Sequence, residues 1–281
     1  MAQMNVDRLD VDKLIGPDSD SSTRQPIDLS ICQPINIYFI SDAHLGSGAD
    51  SAERERQLCR FLDSIKADCS HLFLLGDIFD FWFTYRHLVP RGHTRLLGKL
   101  AELSDSGIEI HFFIGNHDMW VFDYLSSELG IITHSEPEIL TLHGRRCLVG
   151  HGDGLGHTDR WFDFVRLFFR SRFCQRLFKM LPSAFTFGIA HRWSDSNKRR
   201  HARRNMLRYL GDDREGIVIH CKQVLEKQPL DYCIFGHRHT PLTRDLGHGC
   251  TYLNTGDWLH NRNYAVLHPD GSLTLHDYRT D

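Results

Sequence analysis

The sequence lacks any apolar run approaching the ~18 residues that a membrane-spanning helix requires. Residues 1–30 also lack the basic stretch followed by an apolar stretch that marks a secretory signal, so we expect neither a spanning helix nor a signal peptide. Net charge is small as well, since 33 Lys and Arg oppose 36 Asp and Glu. Bulk electrostatics therefore offer no reason to expect a nucleic-acid partner.

Paired cysteine motifs are absent. The eight cysteines are scattered without a C-x-x-C pair, and several lie inside apolar runs, where a reduced thiol behaves as a small hydrophobic side chain. We expect free thiols and a cytoplasmic protein. With 281 residues and 41% hydrophobic content, the chain is long and apolar enough for one large or two small packed domains.

One pattern recurs after a polar, Pro- and Ser-containing stretch at residues 1–34, which we expect to be a loosely ordered N-terminal extension. From residue 35 to the end, a short apolar run is repeatedly followed by a small residue and then by Asp, His or Asn. The apolar runs are Ile37–Ile40, Leu72–Leu75, Ile110–Ile114, Cys147–Val149 and Tyr232–Phe235. Such runs predict strands that are buried on both faces.

The spacing of these strands predicts an α/β fold. The first three are separated by 30 to 40 residues, which leaves room for crossover helices, predicted at 52–66 and 92–105. Ligands of open α/β sheets collect beyond the carboxyl ends of the strands, so we expect all five polar clusters to form one site. Segments 264–267 and 272–275, on either side of a Pro-Asp-Gly turn, predict a C-terminal hairpin.

Residues 156–215 interrupt this pattern, because the segment is rich in Arg and aromatic residues and carries no strand signal. We predict a helical insertion with two short amphipathic helices. The second begins near Phe173 and places Cys174, Leu177 and Met180 on one face. Three roles remain open for the apolar stripes: packing on the main domain, binding acyl chains, or docking on a membrane.

Motif statistics distinguish a site from ordinary turns. The D-x-H string at 42–44 is expected about once by chance in a chain of this length. A given four-residue string such as G-N-H-D at 115–118 is expected only on the order of 0.002 times. With G-D-I-F-D at 76–80 and G-H-R-H at 236–239, each after a predicted strand, the set indicates one functional centre.

The side chains of this centre are a mixed set of oxygen and nitrogen donors without thiolate, which suits Mn²⁺, Fe or Zn²⁺ better than Mg²⁺ or Ca²⁺. Seven candidate ligands exceed what one tetrahedral zinc needs. They can form two incomplete shells around metals ~3.5–4 Å apart, an arrangement that hydrolyses phosphoesters and phosphoanhydrides. The candidate ligands are Asp42, His44, Asp77, Asn116, His151, His237 and His239.

The ordered motifs resemble the calcineurin-like metallophosphoesterases over about residues 36–260. The resemblance implies a four-layer α/β/β/α metallophosphoesterase sandwich with a helical insertion (cap) at about 156–215. It implies that His117 is a proton donor whose ring Asp118 orients. It also implies two metals, the first held by Asp42, His44, Asp77 and His239 and the second by Asp77, Asn116, His151 and His237, with Asp77 bridging.

A narrower resemblance is to the UDP-2,3-diacylglucosamine hydrolases of the bacterial lipid A pathway. It rests on S-D-A-H-L-G at 41–46, G-D-I-F-D-F-W at 76–82, H-G-D at 151–153 and G-D-W at 256–258. The resemblance implies two Mn²⁺ ions, an acylated nucleotide-sugar substrate cleaved to UMP, and a peripheral location on the inner face of the cytoplasmic membrane. It implies substrate contacts from Asp159, which follows H-G-D, and by analogy from Asn197 and Lys198.

One position departs from that group, whose hydrolases carry G-N-R-D where this sequence has His117. Histidine here matches the general phosphoesterase pattern, so a second function stays open: hydrolysis of a soluble phosphomonoester, phosphodiester or phosphoprotein. A third hypothesis, a metal-free interaction scaffold, would be marked by missing ligands, and this sequence lacks none. The oligomeric state has no signal in the sequence.

Overall fold

The computed structural model describes residues 35–85, 88–156, 168–169, 171–180, 209 and 211–279. The predicted N-terminal extension and the first predicted helix of the insertion, apart from Phe168 and Phe169, lie outside these residues. No described helix combines the length and apolar content needed to cross a membrane.

The described strands are β1 Asn36–Ile40, β2 Cys69–Leu74, β3 Glu109–Phe113, β4 Ile132–His134, β5 Glu138–Leu142, β6 Arg145–Gly150, β7 Tyr232–Phe235, β8 Leu242–Asp245, β9 Thr251–Asn254, β10 Asn263–Leu267 and β11 Leu273–Asp277. The described helices are α1 Ser51–Ile65, α2 Thr94–Asp105, α3 Tyr124–Leu129, α4 Arg172–Met180 and α5 Gly216–Leu225.

Six strands form the first sheet in the order β11-β10-β1-β2-β3-β4. Strands β1 to β4 are parallel, and α1 and α2 supply the crossovers that a parallel arrangement requires, close to the predicted bounds. Strands β10 and β11 pair antiparallel, which confirms the C-terminal hairpin. Because β10 also pairs with β1, the C-terminal hairpin extends the sheet beside the first described strand.

Five strands form the second sheet in the order β5-β6-β7-β9-β8. Its three inner strands are parallel, and β5 and β8 are antiparallel edges. The five apolar runs of the sequence therefore divide between two sheets, three in the first and two in the second.

The alternation of side chains along the strands explains why the two sheets pack between two layers of helices. On β2, Leu72 and Leu74 pack with the first helices, whereas Phe73 faces the core between the sheets. On β6, Val149 joins the same inter-sheet core and Leu148 packs with α5. Since successive strand residues point to opposite faces, each sheet has one face on a helical layer and one on the other sheet. The predicted α/β/β/α sandwich is confirmed.

Helices α1 and α2 are joined by a polar contact within their apolar interface. The carboxylate of Glu55, on α1, is buried and accepts the backbone N–H groups of Arg95 and Leu96, both at 3.1 Å. These amides belong to the first turn of α2, which has no side-chain cap of its own. Glu55 therefore satisfies donors that the helix leaves unpaired and places negative charge at the positive end of α2.

Helix α4, the described part of the insertion, packs through a different face from the one predicted. Cys174 is buried against Phe83 and Trp120, and the Phe178 ring lies 4.6 Å from Trp120 between centroids. Leu177 and Met180 are exposed instead. Cys174 and Phe178 are one helical turn apart, so the anchor at Trp120 selects their side of the helix. The predicted cap stays a prediction, because most of residues 156–215 lie outside the described part of the chain.

The described cysteines are free thiols, as predicted, and six of the seven are buried. Cys233 is on β7 and Cys250 directly precedes β9, and their Sγ atoms lie 3.8 Å apart. Burial raises the pKa of the Cys147 thiol to about 12 and that of Cys69 likewise, so these groups serve as small apolar side chains.

His93, the residue directly before α2, is buried and packs as an aromatic core residue. His93 is 5% exposed and packs on the rings of Phe79 and Trp82. Its Nδ1 has no hydrogen-bond partner. Burial lowers the pKa of His93 from 6.5 to about 4, because the cationic ring is penalised in this surrounding.

We predict that His93→Phe reduces the loss of stability on acidification. In the unfolded chain the ring binds a proton near pH 6.5, whereas in the folded chain it does so only near pH 4. The unfolded state therefore gains protons first, and the wild type loses on the order of 3 kcal/mol as pH falls through this window. Thermal unfolding at pH 7 and pH 5 measures the difference. His248→Gln, at an exposed position, is the control, and equal pH dependence in both variants would contradict the prediction.

Candidate metal centre

The five predicted polar clusters meet at one edge of the sandwich. Each cluster lies directly beyond the carboxyl end of a parallel strand, where ligands of such sheets bind. Asp42 and His44 follow β1, Asp77 follows β2, Asn116 follows β3, His151 follows β6, and His237 and His239 follow β7. Both sheets therefore contribute to the site.

One group of donor atoms surrounds the carboxylate of Asp42. Its Oδ1 lies 3.9 Å from His44 Nε2 and 3.5 Å from His239 Nε2. Asp77 Oδ2 lies 3.8 Å from the same His44 nitrogen. Atoms that each bind one ion at ~2.0–2.2 Å are separated from one another by about the distances found between these atoms. These four side chains can therefore share a cation.

A second group surrounds His151. Its Nε2 lies 3.5 Å from Asp77 Oδ2, 3.4 Å from Asn116 Oδ1 and 3.2 Å from His237 Nδ1. The Nδ1 of His151 bonds to the carbonyl of Leu75 at 2.7 Å, and because a carbonyl only accepts, the proton lies on Nδ1. Nε2 is therefore the ring nitrogen of His151 that faces the other donors.

Asp77 belongs to both groups. Its Oδ2 faces His44 in one group and His151 in the other. Its second oxygen, Oδ1, accepts the backbone N–H of His117 at 2.8 Å, which fixes the orientation of the carboxylate. One buried oxygen atom thus stands between two sets of donors.

The residues present fit a divalent cation. Asp42 Oδ1 and His44 Nε2 are buried and have no hydrogen-bond partner. Leaving such atoms unpaired is costly, and a cation between them removes that cost. Oxygen and imidazole donors without thiolate are ordinary ligands of divalent first-row metals. The donor groups support divalent metal binding.

The electrostatics point the same way. Burial lowers the pKa of His151, but the carboxylates of Asp77, Asp42 and Asp153 outweigh it and raise the pKa above its usual value. Burial is outweighed at His239 as well, where Asp42 and Asp257 raise the pKa. At His44 and His237, burial and the neighbouring imidazoles lower the pKa instead. The carboxylates thus make the potential negative around His151 and His239, where protons and metal cations compete for the same nitrogens.

Carboxylates lie beside the outer nitrogens of two of the metal-facing histidines. Asp257 Oδ2 lies 3.2 Å from His239 Nδ1, and its Oδ1 accepts the backbone N–H groups of His260 and Asn261. Asp80 Oδ1 lies 3.4 Å from His44 Nδ1. Carboxylates in this position orient an imidazole ligand and increase its basicity.

The backbone at the site is strained. The left-handed φ region is uncommon for residues other than glycine and costs roughly 1–3 kcal/mol in each case. Five candidate ligands adopt it: Asp42 (φ 52°), His44 (43°), Asp77 (53°), His237 (68°) and His239 (52°). The loops after β1 and β2 support each other, because His44 N–H donates to the Asp77 carbonyl and Leu45 N–H to that of Ile78, both at 2.9 Å.

Two glycines permit the close approach of these loops. A Cβ on Gly115 would lie 2.2 Å from Asp77 Oδ1, and a Cβ on Gly236 would lie 2.6 Å from Ser41 Oγ. Both distances are below van der Waals contact, so any side chain would displace a metal-facing residue. This explains why the motifs carry glycine directly before Asn116 and His237.

His117 lies beside the two donor groups. Its ring stands perpendicular to that of His44 with the centroids 4.7 Å apart. Its Nδ1 donates to the backbone carbonyl of Asp80 at 2.9 Å. The Nε2 atom is therefore the nitrogen left for proton exchange with a substrate.

The expected role of Asp118 is wrong. Its Oδ1 accepts the backbone N–H of Gly115, and its Oδ2 accepts those of Ile78 and Phe79. Asp118 therefore joins the loop of Asp77 to the loop of Asn116, and Asp80 orients the His117 ring through its carbonyl. No hydrogen bond joins the Asp118 carboxylate to the His117 ring, whose Nδ1 is bonded to the carbonyl of Asp80 instead.

The predicted substrate-binding residues Asp159, Asn197 and Lys198 lie outside the described part of the chain. Sequence analysis assigned no role to Asp80, although the G-D-x-x-D motif contains it, or to Arg54. A signal for Arg54 exists: on a helix it shares a face with Leu58 and Phe61, and an arginine in an apolar stripe needs a polar partner there.

A family model for calcineurin-like phosphoesterases matches residues 35–241. A UDP-2,3-diacylglucosamine hydrolase from Porphyromonas gingivalis is 38% identical over 243 residues, which cover 82% of this chain and 93% of that protein. A protein of the same name from Aeromonas hydrophila is 27% identical over 238 residues, covering 84% and 95%. The family match spans well over half of the chain and includes every strand-end cluster of the site, so the chain belongs to the calcineurin-like phosphoesterase family.

Proposed function

We propose that this chain hydrolyses the pyrophosphate bond of UDP-2,3-diacylglucosamine and releases UMP and 2,3-diacylglucosamine 1-phosphate, a reaction of lipid A biosynthesis. The family membership and the names of the similar proteins support this substrate. The observation that carries the chemistry is the position of Asp77 Oδ2 between two donor groups. A pair of ions bridged by one carboxylate suits in-line displacement at phosphorus.

In this proposal two divalent ions bind, with Mn²⁺ as the physiological metal and Fe or Zn²⁺ as alternatives. Asp42, His44, Asp77 and His239 would hold the first ion, and Asp77, Asn116, His151 and His237 would hold the second, so that Asp77 would be shared. When bound, the ions neutralise charge on the reacting phosphoryl group and activate water at neutral pH.

His117 is the proposed proton donor to the leaving oxygen. Its Nδ1 proton is committed to the Asp80 carbonyl, so a proton on Nε2 is the one available for transfer. The backbone N–H of His117 is bonded to Asp77, which ties the ring to the bridging carboxylate. A positioned general acid contributes ~10²–10⁴-fold to turnover.

A second candidate function is favoured by the same residue. His117 matches the general phosphoesterase motif, and this is consistent with a soluble phosphomonoester, phosphodiester or phosphoprotein as substrate. The two functions differ in the substrate and share the metal chemistry.

The deciding experiment offers the Mn²⁺-loaded protein UDP-2,3-diacylglucosamine and p-nitrophenyl phosphate in parallel, with release of UMP and p-nitrophenol measured. We expect UMP from the acylated nucleotide sugar at a kcat/KM well above that for the small ester. Efficient cleavage of p-nitrophenyl phosphate without UMP release would replace the first function with the second.

We predict that Asp77→Ala abolishes UMP release and lowers bound metal, because it removes the oxygen common to both donor groups. His117→Ala is expected to keep its metal and to slow turnover by ~10²–10⁴-fold through loss of proton transfer. Metal content by mass spectrometry and steady-state kinetics measure the two effects.

Asp77→Asn controls for folding, since its side-chain oxygen can still accept the N–H of His117 while the negative charge is lost. Circular dichroism confirms that each variant is folded. Full activity in a metal-depleted Asp77 variant, or normal turnover in His117→Ala, would contradict the assigned role of that residue.

We also propose that the protein associates peripherally with the inner face of the cytoplasmic membrane, which holds an acylated substrate. One side of α4 exposes Phe173, Leu177 and Met180 at helical spacing, with exposures of 70%, 46% and 82%. Monomer surfaces rarely expose such contiguous apolar stripes without a contact to make. Burying large apolar side chains in a lipid interface is worth ~1.5–3 kcal/mol each.

Phe173→Asp with Met180→Asp is therefore expected to lower partitioning onto phosphatidylglycerol-containing vesicles by about tenfold or more. Flotation assays measure the bound fraction. Ile132→Asp, at an exposed apolar position on β4, is the matched control. Unchanged flotation of the double variant would show that α4 makes no membrane contact.

A further inference from the structure

Arg54 is a buried cation on the apolar side of α1. Its exposure is 1%, and its helical neighbours Leu58 and Phe61 belong to the core beneath the first sheet. A charge in such a place persists only when it is paired and fully hydrogen-bonded.

Almost all of its partners come from one loop. The Nε–H donates to the Ala43 carbonyl at 2.8 Å, and Nη2–H groups donate to the carbonyls of His44 at 3.0 Å and Ser47 at 2.6 Å. Nη1 lies 2.9 Å from the carboxylate of Asp50, where the loop ends. The loop between β1 and α1 thus wraps around a single guanidinium group.

This loop carries two of the proposed metal ligands in a conformation that needs support. Asp42 and His44 both have left-handed φ angles, and His44 Nε2 and Asp42 Oδ1 have no hydrogen-bond partner of their own. Three carbonyl oxygens also converge on one point, where their dipoles repel each other unless a cation lies between them. The planar, five-donor geometry of Arg54 meets that requirement, which a lysine ammonium does not reproduce.

We propose that Arg54 is a positioning residue for the metal centre: its guanidinium holds the loop from Asp42 to Asp50 in the shape that presents Asp42 and His44 to the first ion. The inference rests on the proposed two-metal site. It assigns Arg54 a role in metal affinity that is separate from its contribution to folding.

The test measures Mn²⁺ binding to metal-free protein by titration calorimetry, together with thermal unfolding. Arg54→Lys and Arg54→Met are the variants, and Arg56→Met is the matched control, since Arg56 is on the same helix, exposed, and paired only with Glu53. We expect the folded Arg54 variants to bind Mn²⁺ at one of the two positions at least tenfold less tightly than the wild type does, and Arg56→Met to match the wild type.

Asp50→Asn keeps the test decisive if Arg54 variants do not fold. Asp50 is largely exposed, so its substitution leaves the core intact while releasing Nη1. We expect a smaller loss of Mn²⁺ affinity in the same direction. Wild-type affinity in folded Arg54→Lys, or in Asp50→Asn when Arg54 variants are unfolded, would overturn the proposal. Failure of the wild type itself to bind Mn²⁺ would instead overturn the proposed metal centre.

Discussion

The shared carboxylate of Asp77 is the constraint on which the site depends. One buried oxygen stands between two groups of donors: it faces His44, which follows a strand of the first sheet, and His151, which follows a strand of the second. Carboxylates and imidazoles packed together in a protein interior need a compensating positive charge, which bound protons or a metal cation can supply. The arrangement is therefore understandable as a receptor for cations, and the surrounding structure holds its members at the necessary distances.

Holding these side chains at such distances strains the backbone, and hydrogen bonds between the neighbouring loops offset the strain. Left-handed backbone at Asp42, His44 and Asp77 is disfavoured, yet the loops that carry these residues hydrogen-bond to each other as an extension of the β1–β2 pairing. Arg54 binds the carbonyls of one loop, and Asp118 binds amides of the other. Buried polar residues that take no part in chemistry thus account for the precision of those that do.

The sequence predicted the five strands that precede the polar clusters, the first two helices, the C-terminal hairpin and the meeting of the clusters, because each is indicated by a local pattern. Strands β4, β5, β8 and β9 were not predicted. It did not predict which residue orients the His117 ring, since Asp118 is adjacent in sequence while the backbone carbonyl of Asp80 reaches the ring only through folding. It also misassigned the buried face of α4. The position of Trp120, which selects the side of Cys174 and Phe178, has no trace in the helical pattern.

Sequence alone determined the donor set, because residue types and short spacings specify the chemistry of a metal site and the strand ends that carry it. Tertiary structure decided the distances around Asp77, the partners of the imidazoles and the hydrogen bonds of Arg54. These depend on distances between segments far apart in the chain, such as Asp257 beside His239 and α1 beneath the loop of His44. Such distances are set where distant backbone segments pack closely together, and no pattern of neighbouring residues encodes that packing.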